Sequence, residues 1–247
     1  MNLLQSEWIK LFTTRTTWAM LGIGLLCEGL FAGLFSGLVS LDGLTELEEL
    51  ETTEPVPTGT GLLMVLVLIL GVLIITSEFR HGTSSSTFLA TPKRWPDLLA
   101  KLGIALAVGV VAGLAFVLVN GGLSIPLFEG RGAELPATDR LVEIYAGVVV
   151  SFALLAAFGM GIGAIVRNQV GAMIAAIAFF FIVSALPELL PGSIGEYFPA
   201  QALGSLHGHV EGDGTLNQLE GGFVLAAWAA GLVALGTLLV CSRDVSE

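Results

Sequence analysis

The amino-acid sequence predicts an all-α integral membrane protein with six transmembrane helices. Three observations predict it. Of the 247 residues, 54% are hydrophobic and 13% charged, about half the charged share of a soluble domain. The apolar residues gather in six runs, each near the roughly 20 residues that cross a bilayer as a helix. Lys and Arg are segregated among the segments between those runs. The runs are too long for barrel strands and do not alternate with period two, so helices are the expected spanning element. With only two cysteines a disulfide scaffold is excluded, and the net charge of −11 argues against a nucleic-acid partner.

The elements follow in chain order. Leu4, Trp8, Leu11 and Phe12 share one side of a helical wheel, opposite Gln5, Glu7, Lys10 and Thr13. Residues 1–16 therefore read as a short amphipathic helix in the interface, with Trp8 at headgroup level. The first span covers about 17–39. It is too long for the apolar region of a signal peptide, and it contains Glu28. Residues 40–60 carry six acids and no base and read as a solvated acidic loop, with a lesser reading as a cation-gathering surface. The second span covers 61–76. Residues 77–101 follow as a connector, longer than a plain loop needs. Gly82 breaks it, Phe88 and Leu89 give it an apolar patch, Lys93 and Arg94 make it basic, and Asp97 can cap the third span, 98–119. The fourth and fifth spans are 144–166 and 170–186. Residues 187–221 are too broken by Pro191, Gly192 and Pro199 to span and too apolar to float free, so they read as a re-entrant or interfacial helical hairpin. The sixth span is 222–240.

An N-terminus in the cytoplasm puts eight of the ten basic residues on the inner side and leaves Arg131 and Arg140 outside. The acids divide the other way, so the inner segments sum to +3 and the outer ones to −13.

Several residues invite a functional reading. Glu28 sits in an apolar span, where a charged acid costs about 2.5–3.5 kcal/mol on insertion scales. Gly24, Ala32 and Ser36 share its helical row and Gly29, Gly33 and Gly37 form a neighbouring row, so the first span is expected to pack tightly around a buried Glu28. Glu28 then either lines a path or subunit interface, or bonds to a neighbouring helix as a neutral acid. Ala105, Gly109 and Gly113, and Gly159, Gly161 and Gly163, read as packing devices. Phe179, Phe180 and Phe181 cannot all line one groove, because three successive residues cover most of a helix circumference. His207, His209, Glu211 and Asp213 alternate in ligand-like fashion, but the surrounding glycines favour a solvated loop. Cys27 and Cys241 lie on different spans and are not expected to pair.

The series Ser77-Glu78-Phe79-Arg80-His81-Gly82-Thr83, then Phe88-Leu89-Ala90-Thr91-Pro92-Lys93-Arg94 and Lys101, stands between the second and third spans. Glu7 and Lys10 precede it in the amphipathic N-terminus. Ile165-Val166-Arg167-Asn168 joins the fourth and fifth spans, and Phe198-Pro199-Ala200 precedes the last. Across nearly the whole chain this order resembles the permease subunit of ABC-2 type transporters, in the small six-span bacterial group. The acidic first outer loop is not part of that pattern. The resemblance implies a type V exporter fold with an N-terminal elbow helix, a cytoplasmic coupling helix within 77–97 and re-entrant outer helices within 187–221, in a single transmembrane domain. It implies a bacterial inner-membrane location with both termini cytoplasmic. It further implies a second permease subunit, expected as a homodimer, and two copies of a cytosolic ABC ATPase that bind ATP and Mg.

The chain itself has no G-x-x-x-x-G-K-[ST] loop, since no Gly-Lys pair occurs, so no cofactor is assigned to it and catalysis is expected in the partner. The expected docking residues are Glu78, Phe79, Arg80, His81, Phe88, Leu89 and Arg94, with Arg80, Lys93 and Arg94 also placed to meet anionic lipid headgroups. An ion-coupled secondary transporter working through Glu28, and a non-transporting membrane anchor, are the rival readings.

Overall fold

A computed structural model describes Trp8 and residues 14–38, 61–81, 95–130, 137–185, 192–208 and 216–242. Among these residues the protein is entirely helical. Its seven α-helices are α1 (Arg15–Leu38), α2 (Gly61–His81), α3 (Trp95–Glu129), α4 (Thr138–Val166), α5 (Gln169–Ala185), α6 (Pro199–Leu206) and α7 (Gln218–Ser242). One 3-10 helix, Gly192–Tyr197, precedes α6. Five helices, α1 to α4 and α7, are long and apolar enough to cross a membrane. The fifth expected span is α5, at 17 residues the shortest of the set and about 25 Å long at 1.5 Å per residue.

Five helix limits differ from the sequence expectation by three residues or more. Helix α2 runs past 76 to His81, because nothing between Ser77 and His81 breaks a helix. Helix α3 begins at Trp95, where Pro96 and Asp97 suit a first turn. It also continues through Asn120 to Glu129, with Pro126 inside it. Helix α7 begins at Gln218 and not near 222, because Asn217 and Glu220 form a reciprocal capping box. The Asn217 side chain accepts the Glu220 N–H at 3.0 Å, and the Glu220 carboxylate accepts the Asn217 N–H at 2.9 Å. The fourth helix likewise starts early, at Thr138. It ends as expected at Val166, where Arg167 takes a left-handed φ of 56° and Asn168 caps α5 by accepting the Gly171 N–H at 2.8 Å.

Helix α4 is the axis of the bundle. Helices α2, α3 and α7 pack along it, α5 lies against α2 and α4, and α1 stands outside on α2 and α3. Small residues let the backbones meet. A side chain at Gly71 of α2 would strike the Ala156 carbonyl of α4, and one at Gly159 of α4 would strike the Leu68 carbonyl of α2. Gly109 lies equally close to the Phe152–Ala153 backbone. The core between them is aliphatic and aromatic, with Phe116, Phe152, Phe158, Leu155 and Leu225 fully buried.

On α1 the Gly24, Glu28 and Ala32 row faces inward, and a Cβ at Gly24 would meet Leu63 at 2.5 Å. The neighbouring row is looser than expected. Gly29 would gain only ordinary contact with Val119 and Leu123, and Gly33 faces open space. The outer face of α1 exposes Ile23, Leu26, Leu30, Phe31 and Leu34, as a helix bathed in lipid would. Of the amphipathic segment 1–16, Trp8 is exposed and Arg15 and Thr16 already belong to α1; residues 1–7 and 9–13 lie outside the described residues.

Candidate functional site

At one end of the bundle α2 finishes, α3 begins, α4 turns into α5, and α7 finishes; Arg80, Lys101 and Arg167 gather there. This is the basic end. Its centre is Lys101, only 1% exposed, whose ammonium pairs with Glu78 of α2 at 3.0 Å and with Asp97, one turn earlier on α3, at 3.1 Å. Both acids are buried as well, with 9% of the Glu78 side chain and 2% of the Asp97 side chain exposed. A buried ammonium is tolerated only when its charge is answered and its donors are used, and here two acids do both. The triad fastens the end of α2 to the start of α3, the two helix ends that flank residues 82–94.

The other residues of this end tie it to the remaining helices. Arg80 donates to the Gln169 side chain at 3.2 Å from an exposed position. The Arg167 guanidinium lies 5.9 Å from the centroid of the half-buried Phe79 ring, a cation–π distance. It also donates to the Leu239 carbonyl in the last turn of α7 at 2.8 Å, the position at which a helix C-terminus needs a donor.

The expected docking residues therefore separate. Arg80 is at the surface. Phe79 is partly covered. Glu78 is turned into the bundle and committed to Lys101, because α2 continues as a helix and brings residue 78 to its inner face. Asp97 acts as the second acid of the triad more than as a cap. The side chains of His81, Phe88, Leu89 and Arg94 lie outside the described residues.

A second polar group sits deep in the apolar part of the bundle. Glu28 of α1 is 2% exposed and accepts a hydrogen bond from the Asn120 amide of α3 at 2.9 Å. Tyr145 of α4 donates its hydroxyl to the other side of that amide at 3.3 Å. Gly121 makes room for the ring, since a Cβ there would come within 3.3 Å of the Tyr145 oxygen. Asn120 lies nineteen residues beyond Lys101 on the same helix, about 28 Å along its axis. Glu28 is thus far from the basic end, although it is near the middle of its own helix. Asn120 and Tyr145 were hidden in the sequence for opposite reasons. Asn120 falls just past the expected end of the third span, and a tyrosine near the end of a span reads as an interfacial anchor.

At the opposite, acidic end, α6 is pinned to α4 and α7. His207, expected in a solvated loop, is instead buried with its Nε2 2.9 Å from the Ser151 hydroxyl, which itself donates to the Val148 carbonyl at 2.7 Å. With the serine proton so engaged, the pair reads as a packing contact rather than a nucleophile. The Gln218 amide donates to the Glu143 and Leu206 carbonyls at 2.7 and 3.0 Å. Trp228 of α7 donates to the Tyr197 carbonyl at 2.9 Å, holding the 3-10 helix. Residues 209–215, which include His209, Glu211 and Asp213, lie outside the described residues. No group of three or more metal-ligating side chains occurs among the described residues.

The remaining candidates are packing residues. The Phe179 ring packs tilted and the Phe180 ring edge-on against Phe158, while Phe181 points outward. Cys27 and Cys241 are both free. No family model, curated protein or solved structure matches the chain.

Proposed function

We propose that this chain is the membrane permease subunit of an ABC-2 type, ATP-driven transporter. It works as a pair of permease subunits above two copies of a cytosolic ATPase, and exports an amphipathic or lipid-like substrate. In this reading the basic end is cytoplasmic, α5 is the sixth crossing, residues 82–94 receive the ATPase, and the 3-10 helix with α6 is the outer re-entrant pair.

The observation that carries the reading is the buried Glu78–Lys101–Asp97 triad. A segment that passes mechanical work into a bundle must be mounted rigidly at both ends. The triad joins the two helices from which residues 82–94 depart, and Phe79–Arg167 and Arg167–Leu239 extend that mount to α4 and α7. The absence of a phosphate loop in the sequence agrees with an engine on another chain. The two rival readings gain no comparable mount: neither a gradient-driven carrier nor an anchor needs a stiff base under a basic loop.

Arg80 is the described docking residue most open to a partner. Truncating an anchoring Arg at an interface costs more than about 1 kcal/mol. In reconstituted complexes Arg80→Ala is therefore expected to lower permease-stimulated ATP hydrolysis about fivefold or more while the chain still inserts and folds. Stimulation equal to the wild type would remove Arg80 from the docking surface.

A further inference from the structure

We infer that Glu28, Asn120, Ser124 and Tyr145 form a binding site for a small monovalent cation, either an alkali-metal ion or the ammonium group of an amine. The site lies within this chain and does not depend on an ATPase partner.

The first observation is the direction of the hydrogen bonds. Tyr145 donates to Asn120, and Asn120 donates to Glu28. Both of these donors are spent toward the carboxylate. What the chain leaves to a further group is mainly acceptors, the second carboxylate oxygen and the lone pairs of the Tyr145 hydroxyl, together with the Ser124 hydroxyl, which can accept or donate. No Lys, Arg or His among the described residues pairs with Glu28. An acid inside an apolar bundle without a basic neighbour is a functional candidate by default.

The second observation is independent of the first. Ser124 lies one turn beyond Asn120 on the same face of α3 and is 0% exposed, yet its hydroxyl has no hydrogen-bond partner. Hydroxyl residues within apolar helices usually fold back onto the carbonyl four residues earlier. Thr76 does so onto Val72, and Thr237 onto Val233. Ser124 does not. A buried unmade hydrogen bond costs about 1–3 kcal/mol, and a guest placed beside Asn120 would relieve it.

Together these side chains supply oxygens on three adjoining helices beside one carboxylate. An anion would meet the Glu28 carboxylate, with the Ser124 hydroxyl as the donor left to answer it. An ammonium group carries three donors and no acceptor, and an alkali ion takes oxygen ligands as hard cations do. A single carboxylate balances a single positive charge, which selects the monovalent class.

The test is thermal unfolding of the full chain in lipid nanodiscs, titrated with sodium, potassium or methylammonium chloride at ionic strength held constant with tetraethylammonium chloride. A saturable rise in Tm with sodium or potassium identifies an alkali-ion site, and a rise with methylammonium alone identifies an amine site; either supports the inference. Glu28→Gln, which keeps an acceptor for Asn120, is expected to abolish the rise. Ser124→Ala is expected to weaken the apparent affinity about fivefold, the equivalent of one lost hydrogen bond. No rise with any of the three salts overturns the inference, as does an undiminished rise in Glu28→Gln. If Glu28→Gln does not fold, Ser124→Ala decides alone, with wild-type affinity overturning the site. No ATPase enters the experiment, so its result stands apart from that of the proposed function.

Discussion

Lys101→Met is expected to destabilise the protein by about 3–5 kcal/mol, the usual cost of removing one partner from a buried ion pair. Methionine matches the length of the lysine stem, so little packing is lost. What is lost is the ammonium, and Glu78 and Asp97 are then left buried beside each other without a counter-charge. Glu78→Gln should cost less, because Lys101 keeps Asp97 at 3.1 Å. Replacing all three residues by apolar ones of similar volume should restore much of the stability, but the rigid polar joint between α2 and α3 would be gone. Thermal unfolding in detergent separates these variants. A Lys101→Met protein that melts with the wild type would mean that the triad contributes nothing to holding the two helix ends.

The second large effect is expected at the α2–α4 contact. Gly71→Val and Gly159→Val each place a branched side chain where the opposing helix has a backbone carbonyl. A flexible side chain can turn aside from an intruder, but a carbonyl within a helix cannot. The helices must separate, and each variant should lose about 1–3 kcal/mol or more, with poor recovery of folded protein. Gly33→Ala is the matched control. The site is helical and open, so alanine should be neutral or stabilise by about 0.5–1 kcal/mol. Size-exclusion profiles and melting temperatures of the three variants check the contrast. Equal behaviour at positions 33, 71 and 159 would contradict the packing described for α4.

Much of the architecture was legible in the sequence because a membrane helix announces itself by length and apolarity alone. The end of α4, the start of α5, and the inward row Gly24–Glu28–Ala32 needed no tertiary information. The limits that were missed depend on polar residues acting locally. Asn217 and Glu220 read as loop residues until their reciprocal bonds are seen, and Ser77–His81 reads as a loop because charge suggests the end of an apolar span. The candidate sites were less legible than the fold. Glu28 stood out by its charge, yet its partner Asn120 lies 92 residues away along the chain, and Tyr145, which bonds to Asn120, 117. Glu78 and Lys101 both stood out as charged, but only the geometry shows that each is the other's partner. His207 is the sharpest case: its glycine-rich surroundings suggested solvent, and one contact with Ser151 across 56 residues buries it.

The central claim is that this bundle is driven from its basic end by a separate ATPase. It is tested most directly by purifying the tagged chain from its native membrane after cross-linking and mapping what is attached to residues 82–94. The account predicts a Walker-type ATPase in the eluate, equal in copy number to the permease and cross-linked within that segment. A chain that purifies without an ATPase, or whose residues 82–94 are labelled by a membrane-impermeant reagent from outside intact cells, would contradict it.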